Sequence, residues 1–304
     1  MKFRLPQFIC VLACALGLSA TGAHGRPVAQ RTTIAVLDLG ETETGERAAD
    51  ELSRALAKIS NLDVVKRGPS RAAARGVGYS GSLNLTLPEA RDLGAAIGCD
   101  LYFTGEAQTL RRTSSVRAED YFESSISLFL VSTDTGKLIL WEGFNAESAT
   151  PTEAEKNLLT LLRQRAEHYS EAITKAQVVE RSERLRARER EAASFEDVPD
   201  DGSPGALNFR APQPYRSLRP AYPEAAARVA AEAIVDALVA IDAGGEVKDI
   251  EIVRWAGYGL NEAVIATVRG LHFRPAMRDG RPVPVRVLLR YNFRRPAEEN
   301  KGRG

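Results

Sequence analysis

The sequence predicts an α+β chain in two parts: an α/β layer domain with a long helix at its end, then a small β-β-α-β unit. Three observations carry this. Short apolar β-branched runs alternate with helical periodicities from residue 33 to residue 144. A highly charged run and a segment rich in Pro, Gly, Asp and Ser follow, as a linker requires. Beyond residue 220 a second pattern begins, strand, strand, helix, strand. The length of 304 residues agrees, at about 150 residues per domain.

Lys2 and Arg4 precede an uncharged, mostly apolar run from Phe8 to Ala20, and Thr21-Gly22-Ala23 places small residues where a signal peptidase cuts. This predicts a signal peptide over residues 1–23. Its 13 apolar-run residues fall short of the about 20 that span a membrane. The rival reading is an uncleaved inner-membrane anchor with the rest on the periplasmic side. Cleavage removes Cys10 and Cys14, leaving Cys99 as a buried small hydrophobe.

Residues 33–39 read as a buried strand, and Glu46 to Ile59 as a helix presenting Ala49, Leu52, Leu56 and Ile59. Residues 63–66 and 101–105 are the next strands, with a helix from Thr86 or Leu87 to Ile97 between them and Pro88 in its first turn. Tyr121–Ser132 alternates with period two, and Lys137–Phe144 returns after the Asp134-Thr135-Gly136 turn. From Pro151, Leu158, Leu162, Tyr169, Ile173 and Ala176 form one helical stripe. Nine charges of both signs in residues 180–191 predict a solvated helix. In the last unit, Ile234–Ile241 and Val247–Arg254 make a hairpin and Leu260–Leu271 an amphipathic helix. Pro284–Arg294 is the final strand. Val285, Val287, Leu289, Tyr291 and Phe293 face one side, and Arg286, Leu288, Arg290, Asn292 and Arg294 the other.

Composition excludes several function classes. The formal charge of +1 argues against a nucleic-acid partner, although residues 210–304 carry +5 and residues 24–209 carry −6. Three His and three Cys leave little for a metal site. Gly76-Val77-Gly78-Tyr79-Ser80-Gly81 spells a dinucleotide motif, but it follows a helical run rather than a strand and reads as a loop. Gly78-Tyr79-Ser80-Gly81-Ser82 misses a nucleophile elbow by its last residue. The expectation is no enzyme, no cofactor, no metal and no small-molecule substrate. The final strand carries the physical signal: at the edge of a small sheet, its unpaired backbone groups can template another strand.

Pro220-Ala221-Tyr222-Pro223, Ile241-Asp242-Ala243-Gly244-Gly245-Glu246-Val247, Phe273-Arg274-Pro275-Ala276, and residues 279–285 with the strand through Phe293 resemble the TonB carboxy-terminal domain family. Three departures stand out. Arg219 replaces a Gln, Ala230-Ala231-Glu232 lacks a usual Gly, and Trp255-Ala256-Gly257-Tyr258 replaces a Ser-Ser-Gly-like turn. A charged helix and an α/β domain also stand where that family carries a Pro-rich spacer.

Residues 34–38, 95–105 and 134–141 are similar to the periplasmic α/β domains of the curli secretion-channel family and of TolB, which are assembly and binding modules. The organisation expected is a signal peptide 1–23, a periplasmic α/β domain 30–179, a charged helix and linker 180–212, and a TonB-like domain 213–297. The resemblance implies a periplasmic protein that binds an outer-membrane TonB-dependent receptor or another envelope protein, with energy-coupled transport as the further expectation and a homo-oligomer as another arrangement. The alternative is a scaffold or assembly factor that transmits no energy. The partner-binding residues expected are Pro220, Tyr222, Pro223, Val285, Arg286, Val287, Leu288, Leu289, Arg290, Tyr291 and Arg294.

Overall fold

In the computed structural model of the chain, residues 31–113, 120–190, 195–200 and 202–295 are described. The expected signal peptide lies outside them. The first sheet is built from β1 (Thr32–Leu39), β2 (Leu62–Val64), β3 (Leu101–Arg112), β4 (Tyr121–Ser132) and β5 (Leu138–Ser148), in the order β2-β1-β3-β4-β5. β1 runs parallel to β2 and β3, while β3, β4 and β5 are antiparallel. The helices are α1 (Glu43–Leu56), α2 (Arg67–Gly76), α3 (Leu87–Ile97), α4 (Pro151–Gln164) and α5 (Ala166–Arg190).

Local sequence sets these boundaries. The Thr42 hydroxyl accepts from the Gly45 amide, so α1 starts three residues before its apolar stripe suggests. Thr86 and Glu89 form a capping box on α3, with Pro88 in the first turn as expected. The stripe after Pro151 divides at Arg165 into α4 and α5, yet Leu158, Leu162, Tyr169 and Ile173 are all fully buried. β3 runs seven residues beyond the expected strand because it pairs with β4 to Arg112. Its polar second half hides it from an apolar search.

The last part holds β6 (Glu196–Asp197), β7 (Phe209–Arg210), β8 (Gln213–Pro214), α6 (Glu224–Val229), β9 (Ala233–Ile241), β10 (Val247–Arg254) and α7 (Leu260–Arg269). β11 (Phe273–Arg274), β12 (Ala276–Arg278), β13 (Arg281–Val283) and β14 (Val285–Phe293) complete it. Its main sheet has the order β10-β9-β14-β6. The expected β-β-α-β order is present as β9, β10, α7 and β14, preceded by the short α6.

The described residues form one compact unit. On one face of the first sheet, Ile34, Phe103, Leu128 and Leu130 pack with Leu52, Leu158 and Tyr169. On the other, Ala35, Tyr102, Phe129 and Val131 join Leu93 and the core of the carboxy-terminal sheet, including Val239, Trp255 and Val264. The two parts therefore share apolar core, and the Trp255–Tyr258 turn is where they meet. Trp255 stacks on Phe129 at 5.9 Å, and its indole N–H donates to the Gly136 carbonyl at 2.9 Å. Tyr258 meets Phe129 and Trp141 at 5.5 and 5.3 Å. Gly257 has φ +65°, and a Cβ there would overlap the Phe129 ring. Asn84 adds three hydrogen bonds, its amide donating to Ile234 O and Trp255 O and its oxygen accepting from Ile234 N. The turn that departs from the TonB pattern is thus the plug that docks this module on the first sheet.

Candidate partner-binding edge

Register decides what β14 can offer. Nine consecutive residues pair antiparallel with β9, from Val285↔Ile241 to Phe293↔Ala233. On the other side the Glu196 N–H donates to Pro284 O at 3.1 Å and the Val198 N–H to Arg286 O at 3.2 Å. Backbone groups alternate sides along a strand. Even-numbered residues of β14 therefore present N–H and C=O outward, and odd-numbered residues serve β9. Leu288 and Arg290, two apart, both face outward. Beyond Arg286 no backbone hydrogen bond closes this outer edge among the described residues.

The expected site residues divide accordingly. Val285 is buried, and Val287, Leu289 and Tyr291 pack against the core, so their side chains and backbone groups are both used internally. Arg286, Leu288 and Arg290 combine exposed side chains with outward backbone groups, and Leu288 is 51% exposed. Arg290 is not a free cation. Its guanidinium donates to both carboxylate oxygens of Asp236, at 2.7 and 2.9 Å. Asp236, 4% exposed, also accepts from Arg254, and the Arg290 hydrogen bond holds its carboxyl below the usual carboxylate range. Arg286 makes no ion pair among the described residues, and Arg294 is exposed just past the strand.

Tyr222 sits at the far end of the strand, its ring 6.4 Å from that of Phe293. Its hydroxyl donates to Ala231 O at 2.7 Å, and burial raises its pKa. Pro223 precedes α6 and would meet any Cβ at Gly259. Pro220 is half-buried. Tyr222 and Pro223 pack at the end of the sheet rather than along its outer edge. Sequence reasoning missed Asp236 and the pairing of β6, both of which depend on contacts distant in sequence.

Other candidates take structural places. Tyr79 of the glycine-rich loop bonds Thr104 at 2.7 Å, and burial pushes its pKa up to about 12. The loop follows α2 rather than a strand, so no free helix N-terminus meets it. Cys99 is buried, with its thiol pushed up to about 11. His272 meets Glu246 at 3.1 Å on the surface. Among the described residues no group of three metal-ligating side chains exists, and no helix is long and apolar enough to cross a membrane.

Fold and edge together define a small α+β interaction module with an outward-facing strand, plugged into an α/β layer domain. Residues 219–294 match the family described as Gram-negative bacterial TonB protein C-terminal, and this segment is a domain of that type. The solution structure of the Pseudomonas aeruginosa TonB carboxy-terminal domain is 19% identical, covering 34% of this chain and 95% of its own at a TM-score of 0.25. The hypothetical protein CT253 from Chlamydia trachomatis is 14% identical, covering 46% of this chain and 97% of its own at 0.34. The PelC dodecamer protein from Paraburkholderia phytofirmans is 11% identical, covering 44% and 85% at 0.28. No curated protein sequence matches the chain.

Proposed function

We propose that the chain is a non-enzymatic periplasmic binding protein whose TonB-like module takes an extended segment of an outer-membrane receptor or another envelope protein as an added strand on β14. The observation that carries this reading is the run of outward backbone groups at Leu288, Arg290 and Asn292 in a segment of the TonB family. Backbone bonds supply the affinity of such an addition, and alternate side chains its specificity. Export by cleavage of residues 1–23 belongs to the same proposal, as does a homo-oligomer formed through the edge.

The docking of Trp255 on Phe129 supports a second reading, the scaffold that transmits no energy. A module plugged into a second domain presents its edge at a fixed place, which suits assembly. The curli-channel and TolB resemblance of the first domain agrees with that role.

A photo-crosslinking residue at Leu288, in cells, tests the binding reading. Crosslinks should map to an extended segment of an envelope protein. They should disappear when Arg290→Pro removes the neighbouring outward donor. Crosslinks that persist in that folded variant would overturn it.

A further inference from the structure

The outer edge of β14 already holds a strand at one end, and the occupant belongs to this chain. Glu196 and Asp197 pair in parallel with Val285 and Arg286. Two acidic residues have little strand propensity of their own, so the edge imposes this conformation. The occupant is also anchored by its side chains. Glu196 accepts from Arg278 at 2.7 Å, and Val198 packs against the buried core. Asp197 lies opposite Arg286 on the solvent face. Residues 195–200 read Phe-Glu-Asp-Val-Pro-Asp, three carboxylates in six positions, beside a strand whose exposed face carries Arg286 without an ion pair among the described residues and Arg290 already paired with Asp236.

We propose that residues 195–200 stand in the partner's place, so that the edge selects an extended acidic segment with a small apolar residue on the core side and admits it fully only by displacing them. This rests on the strand-addition reading above and adds the chemistry of the partner and an internal competitor. The competitor is tethered, so its effective concentration is about millimolar, and a foreign strand must overcome it to reach Arg286. Leu288, Arg290 and Asn292 remain open as the place of first contact.

The test uses the chain from residue 31 onward and a fluorescent peptide of residues 195–200 as the probe. Glu196→Pro with Val198→Pro removes both donors of the internal strand without touching β14. This variant should bind the probe about tenfold more tightly than the wild type. Asp197→Lys sets like charges side by side and keeps the backbone. It should tighten binding about threefold, and serves if the double variant does not fold. A probe carrying Glu196→Lys and Asp197→Lys should bind neither. Amide exchange reads the internal strand directly: Arg286 should be protected in the wild type, unprotected in the double variant, and Leu288 and Arg290 open in both. If Arg286 exchanges as fast as Arg290 in the wild type, the internal competitor is overturned and strand addition stands. If Arg286 opens in the double variant and the probe still does not bind, the proposed partner chemistry falls, and the Leu288 crosslinking decides strand addition separately. Equal binding of acidic and Lys probes would overturn the acidic preference alone.

Discussion

Ala230 ends α6 with φ +50°, a left-handed conformation that costs an L-residue about 1 kcal/mol. It lies in the stretch Ala230-Ala231-Glu232, which lacks the Gly usual before the first strand. Ala230→Gly should therefore stabilise the chain, by about 0.5 kcal/mol once the looser unfolded state is subtracted. Chemical denaturation measures this, and a destabilised variant would contradict the backbone assignment. Asp236 acts at the same scale. Its carboxyl titrates below the usual range because Arg290 and Arg254 favour the charged form. A lowered folded-state pKa gives stability that is present above about pH 4 and lost as pH falls through the lowered value. Asp236→Asn should cost about 2 kcal/mol at neutral pH. It should also flatten the acid limb of the stability profile. A wild-type and variant pair with parallel acid limbs would deny Asp236 that role. Neither residue's behaviour was legible in the sequence, since one depends on a dihedral angle and the other on partners 18 and 54 positions away.

Along β14, parity separates two outcomes that composition cannot. The Val287 N–H serves β9, and the Leu288 N–H points outward. Val287→Pro should lower the melting temperature by about 5 °C. Leu288→Pro should lower it much less, because only an outward donor is lost. Equal losses would mean that the register is wrong. Arg286→Ala should weaken the salt dependence of partner association, whereas Arg290→Ala should chiefly leave Asp236 with Arg254 alone. The sequence showed β9, β10, α7 and β14 plainly, because each alternates or repeats over eight or more residues. It did not show β6, whose two residues become a strand only against β14, nor α6, which has only six residues. The strand that forms the candidate site was legible, but its partial occupation was not.

The whole molecule joins two sheets that the sequence reads as separate modules. The linker composition near residues 197–205 is the natural cleavage point for a protease. Limited proteolysis there should nick the chain, yet the fragments should co-elute, because Trp255, Tyr258 and Asn84 hold them through core and hydrogen bonds. Trp255→Ala should let them separate, with a loss of about 4 kcal/mol in the intact chain. Fragments that part without that substitution would make the shared core dispensable. The sequence showed only that Trp255-Ala256-Gly257-Tyr258 breaks the family pattern, and read the two parts as independent. What it could not supply was Phe129 and Trp141, which come from the opposite side of the fold.

The ladder between β9 and β14 has a mechanical consequence. A strand seated along β14 and tugged along its own axis strains all its hydrogen bonds together, and the strain passes to β9 across nine residue pairs at once. The internal strand is held by two linker donors, at Glu196 and Val198, by Glu196 on Arg278 and by Val198 against the core. Drawn away from its Asp200 end, it peels one bond at a time. The sheet would thus keep its grip under tension while its own clasp gives way, and a pull too weak to unravel the module would be enough to clear the edge.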